Sequence, residues 1–177
     1  MDRAQLEHVI RAAAVLADDP DVVVVGSTAL LGAAPDAPPA LLTSIEADVF
    51  PRAHPDRADV IDGAIGEGSL FQSTFGYYAH GVGPETAKAP EGWECRLVLV
   101  EGPGTGGARG WCLEPHDLVL SKLVAGREKD LAFARGATAA GLVTVAELAA
   151  RVDGLPVGAE RRATVRQWLD ALVPPAD

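Results

Sequence analysis

The chain has 177 residues, 48% hydrophobic and 23% charged, with a formal net charge of −10 from 25 acidic and 15 basic side chains. That size and apolar content suit one folded domain, or one domain with a small helical appendage, and exclude a disordered chain. The acidic balance disfavours a protein that grips nucleic acid mainly through phosphates, and no apolar run approaches the roughly 20 residues of a membrane helix.

Met1-Asp2-Arg3 leads into Gln5, Glu7 and His8 without the basic-then-apolar layout of a leader. Cys95 and Cys112 lack CxxC spacing and are too few for a disulfide framework. The expectation is a cytoplasmic protein with reduced cysteines packed in its core. Leu6, Val9, Ile10, Ala13, Leu16 and Ala17 recur at helical spacing behind Asp2, which predicts a helix over 3–17 with Asp2 as its N-cap. Asp18-Asp19-Pro20 stops it. The β-branched run Asp21–Val25 then predicts a central strand covered on both faces. Gly26-Ser27 ends that strand, and Thr28–Leu31 begins a helical turn.

Three prolines in 33–40 predict a loop. Leu42–Phe50 reads as a second strand, with Ile45, Ala47 and Val49 on one face and Ser44, Glu46 and Asp48 on the other. A helix is expected over 58–65. From Phe71 to Glu101 the texture is β-like, with strands at Tyr77–His80 and, more strongly, Trp93–Val100. The glycine-rich segment 102–110 reads as a flexible connector or a hairpin, because it lacks the Gly-Lys-Ser/Thr ending of a phosphate-binding P-loop. After Pro115 only helices are expected, over 115–125, 128–139, 144–152 and 159–173, the third with Thr144 and Glu147 at capping-box spacing. The predicted division is an α/β core over 1–112 and a helical C-terminal region over 113–177 packed on it.

The residues that point to chemistry are few. Alternate residues on a strand lie about 6.6 Å apart on one face, so Glu46 and Asp48 can converge on one or two hard cations. Gly26-Ser27 supplies a strand-to-helix turn where glycine permits close approach, while amides and a hydroxyl attract anionic oxygens. Taken alone, Lys122, Lys129 and Asp130 fit an exposed helix with ordinary charge pairs. Glu94 and Arg96 fit a same-face ion pair equally well. The four histidines are too scattered for a zinc site. His80 and Tyr77-Tyr78 read as a packed strand in preference to a base-stacking surface, and His116 as a helix cap.

A Gly-Ser turn after a hydrophobic strand, with acidic-x-acidic on the next strand, resembles the signature of the DNA polymerase β-like nucleotidyltransferase superfamily. The segment Asp117-Leu-Val-Leu-Ser-Lys122-Leu-Val-Ala-Gly-Arg127-Glu-Lys129-Asp130 is similar to the lysine-then-Lys-Asp helix pattern of AbiEii-type bacterial nucleotidyltransferases, whose members include toxins of toxin–antitoxin systems. The stretch Gly26 to Asp130 also resembles small actinobacterial nucleotidyltransferase-like proteins. The resemblance implies an α/β (α+β) nucleotidyltransferase fold, a small mixed sheet flanked by helices with a helical C-terminal half. It implies Mg²⁺-dependent movement of a nucleoside monophosphate from an NTP to a hydroxyl or phosphate acceptor. That acceptor would be a tRNA, a protein or a small molecule, and a partner protein from a two-gene module is a further implication.

Position by position, the resemblance assigns Gly26 and Ser27 to the triphosphate and Glu46 and Asp48 to two Mg²⁺ ions. Lys122 would contact phosphate, with Lys129 and Asp130 completing the nucleotide pocket. The family often has a third metal-binding carboxylate on a later strand, and Glu94 is the candidate. Arg96, on the same face, would reach a phosphate or pair with Glu94. Two features depart from the common pattern. The first acid is Glu46 where Asp is commoner, and 46 − 27 = 19 positions separate it from Ser27. A non-catalytic binding or regulatory protein is therefore the alternative.

Overall fold

The computed structural model describes residues 1–172. Helix α1 (Arg3–Ala17) opens on a capping box in which the Asp2 carboxylate accepts the Gln5 amide at 2.8 Å and the Gln5 side chain accepts the Asp2 amide at 2.9 Å. Its apolar stripe, from Leu6 to Ala17, is buried. The strands are β1 (Asp21–Val25), β2 (Glu46–Pro51), β3 (Tyr78–Gly81), β4 (Val98–Val100) and β5 (Arg109–Cys112). They form one mixed sheet in the order β3-β2-β1-β5-β4. β1 runs antiparallel to β2 and parallel to β5, β2 is parallel to β3, and β4 antiparallel to β5.

The expected central strand is β1. Val22 and Val24 join the main core with α1, and Val23 and Val25 join a smaller cluster with Phe50 and Val82 on the other face. Such two-sided burial is what an unbroken valine run supports. Short helix α2 (Leu30–Ala33) follows the Gly26-Ser27 turn, and α3 (Ala58–Ile65) matches its predicted span. β5 passes through only Leu113 and Glu114 before α5 (Pro115–Ala125), which is followed by α6 (Glu128–Ala139) and, later, by two more helices, α7 (Val145–Arg151) and α8 (Ala159–Asp170). The main core runs without a break from Leu6 and Val24 through Leu120 to Leu148 and Leu169.

Several elements differ from the sequence expectation. Residues 70–75 form a helix, α4 (Leu70–Phe75), because the Ser69 hydroxyl caps the Gln72 amide at 3.1 Å and Gly76 closes the other end at φ 80°. The expected strand over 93–100 is paired only at 98–100, since Gly92 at φ 77° starts a 3-10 turn over Trp93–Cys95. Of the two readings of 102–110, the hairpin holds, since β5 begins at Arg109 and pairs antiparallel with β4. β2 begins at Glu46, not Leu42. Helix α8 ends at Asp170, two turn residues follow, and residue 173 lies outside the described residues. Cys112 is buried as expected, but Cys95 is exposed. Among the described residues no helix is long and apolar enough to cross a membrane.

Candidate active site

Glu46 and Asp48 alternate on β2 and so point the same way. Asp48 sits opposite Val25 on β1 and opposite His80 on β3, which places it where the end of β1 turns away. Gly26 makes that turn at φ 67°, and a Cβ there would lie 2.1 Å from Asp48 Oδ2. Glycine is thus required twice, for its dihedral and for the carboxylate packed against it. Ser27 follows at the head of a 3-10 turn.

His80 completes the group. Its Nδ1 lies 3.0 Å from Glu46 Oε1 and 3.2 Å from Asp48 Oδ1. The side chains of Glu46, Asp48 and His80 are 37%, 26% and 49% exposed, so all three are reachable from solvent. One ligand atom from each lies within 4.8 Å of the others. Two carboxylates and an imidazole, with glycine leaving room beside Asp48, fit a divalent cation.

A cavity of about 1020 Å³ opens over this group. Gly26, Ser27, Glu46, Asp48 and His80 form one side. Lys122 from α5, and Arg127, Lys129 and Phe133 from the α5–α6 junction and α6, form the other. The long segment between Ser27 and Glu46 is a third wall, through Pro38, Leu41 and Ser44. Four lysine or arginine side chains line the cavity (Lys88, Lys122, Arg127, Lys129) against two carboxylates, and with Asp130 paired behind Lys122 and Arg127 the local balance is 4 − 3 = +1 in a chain of net charge −10.

Residues 4–167 match a protein family described as nucleotidyltransferase of unknown function (DUF6036). The chain belongs to that family. Its mixed sheet flanked by helices is compatible with a nucleotidyltransferase-like fold. No curated protein and no solved structure shows a significant match to the chain.

Within this nucleotidyltransferase family member, burial and the neighbouring Glu46 raise the Asp48 carboxyl above its ordinary pKa, while His80 and Lys122 oppose them. Burial lowers the Lys122 ammonium, against the opposing pull of Asp130. Lys122 Nζ lies 3.4 Å from Asp130 Oδ1 and 4.7 Å from the centre of the Phe133 ring. Asp130 itself has no solvent exposure and does not line the cavity. It accepts the Arg127 amide at 3.3 Å and Arg127 Nε at 2.7 Å, so it anchors the start of α6 and holds Lys122. Burial tends to raise its pKa, but Arg127 and Lys122 leave it below the ordinary value.

Besides Asp130, two expected site residues lie outside the cavity. Glu94 is not on a strand; the 3-10 turn carries it to the surface beside Trp93, outside the cavity. Arg96 neither lines the cavity nor pairs with Glu94. Its Nε donates to Asp117 Oδ2 at 2.7 Å and its Nη2 to the Pro90 and Glu91 carbonyls at 3.2 Å, so its guanidinium is committed to holding this turn on α5. Sequence reasoning read His80 as part of a packed strand, whereas its side chain is exposed and faces the two carboxylates. Its parity with Tyr78 was readable from the strand, but its register against Asp48 is a cross-strand fact. His116 joins two helices. Its Nδ1 meets Glu114 Oε1 at 2.6 Å and its Nε2 accepts the Thr144 amide at 3.1 Å, which places the ring proton on Nδ1.

Proposed function

We propose that the chain is a metal-dependent nucleotidyltransferase that moves a nucleoside monophosphate from an NTP to a hydroxyl or phosphate acceptor. The observation that carries this reading is the convergence of the Gly26-Ser27 turn, the Glu46–Asp48 pair and the lysines of α5 and α6 on one net-positive cavity of an acidic protein. A general electrostatic attraction is missing, so a local patch of this sign selects a compact polyanion such as a triphosphate. Ser27 and the amides of its turn would take the γ- and β-phosphates, and Lys122, Lys129 and Arg127 would offset their charge. Leu41 and Phe133 offer apolar surface for ribose or base.

A divalent cation, Mg²⁺ in the simplest case and one or two ions in number, would be held by Glu46 and Asp48 and would stabilise charge on the transferring phosphoryl group. The acceptor oxygen then bonds to the α-phosphorus as the bond to pyrophosphate breaks. The AbiEii-like pattern from Asp117 to Asp130 extends this to a toxin-type enzyme of a two-gene module in the cytoplasm, with a tRNA, protein or small molecule as acceptor. A second reading, a non-catalytic nucleotide-binding protein, draws on the absence of a third carboxylate in the acidic group among the described residues.

Thermal-shift titration with each NTP plus Mg²⁺, followed by transfer of labelled NTP, separates these readings. Stabilisation and transfer that both vanish in Asp48→Ala support the enzyme. Stabilisation with no transfer to any acceptor supports the binding protein, and indifference to both NTP and Asp48→Ala overturns both. The toxin branch further requires growth arrest on expression that Asp48→Ala relieves.

A further inference from the structure

We propose that His80 is the third protein ligand of the cation held by Glu46 and Asp48, and that its nitrogen shifts the site from Mg²⁺ toward a transition-metal ion such as Mn²⁺. The inference rests on the reading of Glu46 and Asp48 as cation ligands and specifies which cation they hold.

Three observations carry it. The first is register. β3 runs parallel to β2 with Tyr78 beside Glu46 and His80 beside Asp48, so His80 emerges on the carboxylate face by backbone pairing and not by a chance rotamer. The second is spacing. An octahedral ion with bonds of about 2.1 Å has neighbouring donors about 3.0 Å apart. The separations from His80 Nδ1, 3.0 Å to Glu46 and 3.2 Å to Asp48, approximate two such edges. The third is composition. Among the described residues the only group of this kind is Glu46, Asp48 and His80, and Glu94 stands outside it. The third member of the group is therefore an imidazole, not a carboxylate.

The ring can serve this role. His80 is exposed, so Nε2 can carry the ring proton against water while Nδ1 presents its lone pair to the ion. Mg²⁺ prefers an all-oxygen octahedron and retains waters, whereas imidazole nitrogen suits the first-row transition metals. Mn²⁺ accepts carboxylates and imidazole together. The ordinary alternative is a surface histidine that hydrogen-bonds two acids and plays no part in metal binding.

The test uses the whole chain and Mn²⁺ alone, without nucleotide. Pulsed electron paramagnetic resonance of the bound Mn²⁺ should show nitrogen-14 modulation from one directly coordinated imidazole, and His80→Ala should abolish it. His80→Ala should also weaken Mn²⁺ binding about tenfold or more, the scale of losing a metal-orienting group. His80→Asp should restore binding without the nitrogen signal and move the Mn²⁺/Mg²⁺ affinity ratio toward Mg²⁺ by about tenfold. Circular dichroism checks each variant's fold, and if His80→Ala does not fold, the wild-type spectrum and His80→Asp decide. Bound Mn²⁺ with no nitrogen modulation, or with modulation that survives in His80→Ala, overturns the assignment and leaves the carboxylate pair standing. Failure of Mn²⁺ to bind, or binding unchanged by Asp48→Ala, overturns the cation reading as well.

Discussion

Asp48 shows how a single residue is placed against its own stability. Burial and the charge of Glu46 raise its pKa in the folded chain, so its ionised form is less favourable there than in the unfolded chain. For an acid with a raised folded pKa, the cost is full above that pKa and is relieved as pH falls below the ordinary value of 3.8. Asp48→Asn should therefore stabilise the metal-free protein at pH 7 by about 0.5–1 kcal/mol, while any transfer activity falls by about 100-fold or more. Thermal melts of both proteins from pH 7 to pH 3 check the first part. The gain should shrink toward the acid end, and a gain that persists there would point to another cause. Gly26 belongs to the same arrangement, because its missing Cβ is what lets Asp48 pack against the turn.

At the scale of elements, the helical half is pinned by an ion network centred on one buried carboxylate, not by caps alone. Asp117, on α5 and without solvent exposure, accepts Arg96 Nε at 2.7 Å and Arg151 Nη1 at 2.8 Å. Arg151, on α7, also donates to Glu114 Oε2 at 2.7 Å, and Glu114 caps α5. The network joins the 93–96 turn, α5 and α7, and α5 carries Lys122 into the cavity. Asp117→Ala should cost about 2–3 kcal/mol, because it removes the fully buried carboxylate that both arginines share and leaves Arg96 without an acid, while Arg151 keeps Glu114 and Glu147. Urea denaturation measures it, and a loss below 1 kcal/mol would mean the arginines repartner. Burial tends to raise the Glu114 pKa, but His116 and Arg151 hold it lower, so its stabilising contribution is present above 4.5 and is lost as pH falls.

At the scale of the molecule, the cavity lies between the sheet and the helices that follow it. One wall comes from the Gly26-Ser27 turn, β2 and β3, the other from α5 and α6. The core beneath is continuous across the predicted boundary at 112/113, with Val24 and Cys112 in the same cluster as Leu120 and Leu148. Burial pushes the Cys112 thiol up to about 12, so it stays protonated and unreactive. A shared core and a two-residue link between β5 and α5 favour a single cooperative unit. Calorimetry should give one transition with calorimetric and van't Hoff enthalpies in agreement. Two resolved transitions would restore the division into core and appendage.

Local chemistry made much of this legible. The 3–17 stripe behind Asp2, the valine run and the acid-x-acid alternation each bury or expose side chains by period alone, and the helices over 58–65, 115–125 and 128–139 followed from the same rule. Short-range turn chemistry was harder. Gly92 diverted Glu94 and Arg96 from a strand, and Ser69 with Gly76 closed a helix inside a β-like stretch. The candidate site was half legible for the same reason. Glu46 and Asp48 are neighbours on one strand, so their shared face is a local property of the sequence. His80 reaches them through a hydrogen-bonded register 32 residues away, and the lysines of α5 and α6 reach the cavity through packing against it. Periodicity determines which face a side chain takes; only the pairing of strands and the docking of helices decide what that face meets.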